Sequence, residues 1–239
     1  MKPDRFFYPT AGAIFLLLMA TGFRHFLVGG THTDGSPIDP SIYSVVVLHG
    51  LAVMAWYVLF FVQSLLISVR NRKLHMKLGW SAVVIGATIA CTGPLVAIRS
   101  VQVSPADVRV FDWPYPRFLL IMLTEIVLYT CFVTVGVLAR KRPRIHRPMM
   151  LMASLSILSG ATARTPFLWA VFGHAGWFGF FGPVICLGGA LLLLRCAMTR
   201  SVDRWFAAGY AACVVVLLVA LRLSLTATWL NWAGTILKL

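Results

Sequence analysis

The stretch VVVLHGLAVMAWYVLFFVQSLL, residues 45–66, carries no formal charge, yet holds His49 near one end and Gln63 near the other. A bilayer core of about 30 Å is crossed by about 20 predominantly apolar residues at 1.5 Å rise each. The stretch therefore reads as a membrane-spanning helix. An imidazole and an amide inside a span are costly unless they face protein or a ligand. Their partners must come from the rest of the chain.

Outward from this stretch the same pattern recurs. Of 239 residues, 59% are hydrophobic and only 12% charged, with a mean hydropathy of +0.86. A soluble domain of this size has no use for so much apolar surface. Seven spans are predicted, at 6–28, 42–69, 77–99, 116–139, 148–171, 178–198 and 205–232. The first is too long for the core of a signal peptide and has no clear cleavage site, so it reads as a retained span. Residues 1–239 then form a single all-α integral membrane domain of seven transmembrane helices, without a recognisable repeat.

The net charge of +14 would suggest nucleic acid in a soluble chain. Here the basic residues sit in short loops between apolar runs, which is a signature of topology and excludes nucleic acid as a partner. RNRKLHMK (70–77), RKRPRIHR (140–147) and TRSVDR (199–204) are basic. The alternate loops hold most of the acids: Asp34 and Asp39 in one, Asp107 and Asp112 in another. The positive-inside rule predicts a cytoplasmic N-terminus and an external C-terminus. The five cysteines are scattered singly, with no CxxC spacing, and read as small packing residues.

Polar residues repeat on helix faces. His49, Trp56, Gln63 and Arg70 recur every seven positions and form one stripe down the second span. The packing reading has Trp56 and Gln63 against a neighbouring helix. In the third span Gly79, Gly86 and Gly93 repeat at the same interval, with Ala82, Ala90 and Ala97 between them. Small residues admit either another backbone or a flat cofactor ring, and His75 lies over that face. His146 and Arg164 are 18 residues apart in the fifth span, five full helical turns, and so point the same way. Arg222 lies at similar depth in the seventh. Glu125 is the one acid inside any span, and it cannot pair with Arg164 and Arg222 together. Either loop acids fold inward, or an anionic group of a ligand or lipid completes the site.

The histidines divide by side. His75 and His146 open spans at the inner end and are expected within about 15 Å of each other. His49 and His174 are the outer pair, with His25 and His32 read as interfacial. Two imidazoles from different spans can hold haem b, with arginines neutralising its propionates. A quinone would suit the same groups, Gln63 and histidine donating to its carbonyl oxygens. Copper or zinc at His49, His174, His75 or His146 is the alternative metal reading. His49, Glu125, Arg164 and Arg222 agree in depth and are expected to share one polar cavity. No CxxCH or HExxH motif is present.

LHGLAVMAWYVLFFVQSLL, LHMKLGW and RIHRPMMLMA together resemble a widespread group of uncharacterised bacterial multi-pass membrane proteins. Its pattern is an HG…W…Q helix, then LHRxLGW, then an HRRLM-like helix start. Met76 and Pro148 depart from it. The resemblance implies seven spans in a bacterial inner membrane and names no reaction. The histidine-led helix starts are also similar to di-haem cytochromes of the b type, over spans two to five. The leading expectation is haem- or quinone-linked electron transfer. An accessory or lipid-binding subunit of a larger membrane complex, and copper handling at the outer face, remain as alternatives.

The orientation is tested by labelling intact cells with an impermeant thiol reagent in a cysteine-free background. A cysteine at Ser104 should react, and Arg144→Cys should not; the reverse pattern inverts the topology.

Overall fold

A computed structural model describes residues 3–105, 107–111 and 113–238. Asp112, one of the acids expected outside, lies beyond the described residues. Without water to satisfy them, backbone polar groups in hydrocarbon must bond to one another, and the apolar segments accordingly form helices. Five described helices are long and apolar enough to cross a membrane: α3 (Tyr43–Ser68), α4 (Arg72–Val103), α5 (Tyr115–Leu138), α9 (Trp177–Thr199) and α10 (Arg204–Ser224). Even the shortest, at 21 residues, extends about 32 Å. The chain is an all-α, multi-pass membrane protein.

Three of the predicted spans are not single helices: the first, the fifth and the seventh, which is interrupted at an extended Thr226. The first is α1 (Phe7–Gly22), which turns at Phe23 into the short α2 (Arg24–Gly29). The fifth is broken into α6 (Pro143–Ser156), α7 (Ser159–Thr162) and α8 (Pro166–Phe172). The cause lies in SILSGATARTP, residues 156–166. Serine and threonine bond back to nearby carbonyls in competition with the helix, as Ser156, Thr162 and Thr165 do to Ala153, Ser159 and Ala161 at 2.9, 3.1 and 2.9 Å. Pro166 lacks an N–H and pushes the preceding residue out of helical space; Thr165 is extended, at φ −79° and ψ 120°. The continuous fifth helix needed to align His146 with Arg164 therefore does not exist. A shorter α11 (Ala227–Ile236) follows α10.

The helices α1, α3, α4 and α5 pack in sequence order, each against the next. α6 lies against α5 and α10 and also touches α1, α3 and α9. It is the centre of the bundle, with every residue from 151 to 156 buried. Trp56 and Tyr57 on α3 reach it together: Trp56 Nε1–H donates to Ser154 Oγ at 3.1 Å, and Tyr57 O–H donates to the Ser154 carbonyl at 2.7 Å. Trp56 also meets the Tyr129 ring edge-on at 5.0 Å. α1 comes closest at Gly22, where a Cβ would run into the Ala161 carbonyl and stand 2.9 Å from Ala161 Cα. A two-stranded hairpin, β1 (Arg109–Val110) with β2 (Trp113–Pro114), packs its turn residue Phe111 on Trp169 and Phe180.

The three basic loops and the start of α1 gather at one end of the bundle. His75 meets His146 there, Arg5 bonds the Ser68 carbonyl, and the 143–148 and 199–205 segments share a cavity with Tyr8. We call this the basic end.

Ser154→Ala orphans the Trp56 indole and should lower thermal stability in detergent by about 0.6–1.7 kcal/mol, the range for interhelical hydrogen bonds in membranes. Trp56→Phe combined with it should cost less than the two singly. Strict additivity would show that the bond carries no energy.

Candidate functional site

The sequence-predicted residues separate into an inner cluster and several dispersed groups. His75 lies in the first turn of α4, where Asn71 caps the helix by accepting from the Leu74 N–H at 3.1 Å. His146 lies in the first turn of α6, which starts at Pro143, a residue suited to a helix start. Their rings are 6.4 Å apart, centroid to centroid, and nearly perpendicular at 83°. That is well inside the separation expected from the shared end of their helices.

His146 Nδ1 lies 2.8 Å from the Gly136 carbonyl on α5. A carbonyl only accepts, so Nδ1 carries the proton and Nε2 keeps its lone pair. A backbone carbonyl holding one ring nitrogen in this way fixes an imidazole's orientation and frees the other nitrogen to bind a metal. The His75 ring lies beside the backbone of Gln63, near the end of α3. His75 Nδ1 and Gln63 Oε1 are both buried without a hydrogen-bond partner among the described residues. Arg72 and Arg147 bring positive charge close to the His75 ring.

The small-residue face of α4 is used unequally. A Cβ at Gly93 would strike Ile126 at 2.6 Å, and one at Gly86 would touch Val133 and Tyr129. Those two glycines serve helix packing. At Gly79, one turn from His75, a Cβ would meet nothing within 4 Å. The open part of the stripe is the part beside the histidines.

At the far end the structure does not gather all four of His49, Glu125, Arg164 and Arg222 into one cavity, although Glu125 and Arg164 lie within electrostatic reach of each other. His49 is half-buried and meets Thr92 Oγ1 on α4 at 2.9 Å. Glu125 is buried on α5 and accepts from Ser159 Oγ of the broken segment. Arg164 lies on the protein surface, bonding the Gly160 carbonyl at 2.7 Å and lying over the Phe23 ring at 5.2 Å. Arg222 is exposed on α10. Depth along a helix sets height only, and rotation about the axis turns these side chains to different neighbours. His174 is exposed beyond α8, its ring 6.5 Å from Trp169. Among the described residues, no three or more His, Cys, Asp or Glu side chains gather to hold a metal ion.

The described loop acids do not fold inward. Asp34 and Asp39 are exposed and accept from the N–H and hydroxyl of Ser36 and Ser41 respectively, at 2.6–2.9 Å. These bonds hold both carboxyls below the usual carboxylate range. Sequence reasoning missed Ser159 and Gly136, which position Glu125 and His146. The run SGAT was the available signal for Ser159; a backbone acceptor such as Gly136 has none. No family model, curated protein or solved structure matches this chain.

Nitrogen-15 spectra of histidine-labelled protein, assigned by difference with His146→Ala, should show His146 protonated at Nδ1. The opposite tautomer would remove the lone pair that the arrangement leaves at Nε2.

Proposed function

We propose that the protein is an electron-transfer protein of a bacterial inner membrane that carries haem b between His75 and His146. The observation that carries this reading is the perpendicular imidazole pair at 6.4 Å with His146 held through Nδ1. An imidazole nitrogen binds a metal at about 2 Å, so two rings at this spacing suit one metal atom shared between them. The uncrowded face at Gly79 suits the approach of a flat ring.

In this reading each of the chain's own residues has a limited task. The Gly136 carbonyl fixes the His146 ring and its proton. Gln63 Oε1, buried and unpartnered, is an acceptor beside His75. Arg72 and Arg147 supply the positive charge that propionate carboxylates need. The bound group would supply one-electron exchange at an iron tuned by its axial ligands and their hydrogen bonds. With seven membrane crossings and the basic end and N-terminus in the cytoplasm, as this reading takes them, the pair would lie at the cytoplasmic surface. The likeness to uncharacterised bacterial multi-pass proteins agrees with that placement and adds no reaction.

Quinone in its reduced, quinol form is the second reading within the same site, since a quinol hydroxyl donates where the unpartnered Gln63 Oε1 accepts. The test is the spectrum and solvent extract of protein purified from haem-sufficient cells. A Soret band lost in both His75→Ala and His146→Ala is expected. An extractable quinone without a Soret band would transfer the site to quinone chemistry. Absence of both would overturn the redox reading in favour of an accessory subunit.

A further inference from the structure

A second feature at the basic end lies on the other side of α6. A cavity of about 500 Å3 opens there, lined by Tyr8, Arg144, Arg147, Arg195, Asp203 and Arg204. Its charges do not balance, with four arginines facing one aspartate. That aspartate is already committed: Oδ1 caps α10 by accepting from the Phe206 N–H at 3.2 Å, and Oδ2 lies 3.6 Å from Arg195 Nε. Arg195 in turn lies over the Phe7 and Tyr8 rings at 5.3 and 5.4 Å. Arg144, Arg147 and Arg204 form no ion pair among the described residues and are exposed.

Backbone adds to the same sign. α6 begins at Pro143 and α10 at Arg204, and residues of both first turns line the cavity. Helix N-termini carry partial positive charge. At α10 the Asp203 carboxylate already meets it; at α6 the Ile145 and His146 N–H groups bond the Arg142 carbonyl, so the charge there is left without a side-chain partner. No side chain caps α6. Three uncompensated guanidinium groups at two converging helix starts suit an anion with several acceptor oxygens, and phosphate has that chemistry.

The surroundings say what carries the phosphate. A second hollow, of about 370 Å3, is lined by Arg142, Pro143, Arg144, Ile145 and Trp205, and so shares Pro143, Arg144 and Trp205 with the first. Its lining is mainly apolar apart from the two arginines, and Trp205 is exposed. A charged chamber adjoining an apolar one fits a molecule with a phosphate head and a hydrocarbon tail. Basic recesses between helix ends on the cytoplasmic face are where anionic lipid headgroups bind.

We propose that this cavity binds the phosphate of an anionic phospholipid, with Arg144, Arg147 and Arg204 on the headgroup and Trp205 and Ile145 against the chain. The cavity adjoins the histidine pair, since Arg147 lies close to both rings, but Arg144 and Arg204 hold the headgroup whether or not that pair binds a cofactor.

The test is native mass spectrometry of the full chain in detergent, titrated with phosphatidylglycerol or phosphatidylcholine, with unfolding midpoints recorded for every variant. Wild type should retain phosphatidylglycerol in preference to phosphatidylcholine. Arg144→Gln with Arg204→Gln should weaken that retention by roughly tenfold or more, taking about 1 kcal/mol per basic residue at a membrane surface. Arg140→Gln with Lys141→Gln, in the same basic loop but outside the cavity lining, should leave it within about twofold. Equal loss in both pairs would reduce the effect to net charge and overturn the site. Absence of any preference in wild type would do the same without depending on a variant. Displacement of the lipid by inorganic phosphate at comparable concentration would overturn the lipid assignment in favour of a soluble phosphate.

Discussion

Between residues 156 and 166 the helix is interrupted twice, on either side of the single-turn α7, inside an apolar bundle, and the rest of the structure depends on how that is made tolerable. Non-helical backbone at membrane depth survives only where protein surrounds it or a cavity admits water. Here protein surrounds it. The Ser156 hydroxyl bonds the Ala153 carbonyl, and those of Thr162 and Thr165 add second bonds to carbonyls that the Ala163 and Arg164 N–H groups already reach. α1 approaches through Gly22 until no side chain fits between it and Ala161. α5 contributes Glu125 to Ser159, and α3 clamps the preceding turn through Trp56 and Tyr57. A span that could not stand alone thus becomes the element against which the others are set.

Much of this architecture was legible in the sequence because membrane spans are defined by length and apolarity, both of which can be counted. The meeting of His75 with His146 was legible for a similar reason, since both open helices at the same end. The break in the fifth segment was not, because hydropathy averages over SGATARTP without registering that its residues compete with the helix or cannot continue it. That one omission also removed the alignment of His146 with Arg164. Glu125, His49 and Arg222 show the complementary limit. Their depths were readable, but the rotation that points Glu125 to Ser159, His49 to Thr92 and Arg222 away from the core depends on which helices become neighbours. Trp56 followed the packing reading of its stripe, whereas Gln63 at its inner end stands beside the histidine cluster.

The two ends of the molecule are unlike in kind. At the far end, polar side chains are spent on local structure: aspartates on their own turns, His49 on Thr92, Arg164 on Gly160. At the basic end, donors and charges are left over. One helical turn at the start of α6 carries Arg144, His146 and Arg147, dividing them between the arginine-lined cavity and the histidine pair. Chemistry at one of these places alters the surroundings of the other through a single, centrally packed helix.

The broken segment also bears on biosynthesis. An arginine within a span costs at most about 2.5–3.5 kcal/mol on insertion scales, and a run of serine, threonine, glycine and proline interrupts the helix around it. Such a segment gains little by entering lipid alone as it leaves the ribosome. Its shelter comes from α1, α3 and α5, made before it, and from α9 and α10, made after it. The centre of the bundle is therefore completed late, and a chain arrested before α10 exposes its least lipid-compatible stretch to the surveillance that removes unassembled membrane proteins.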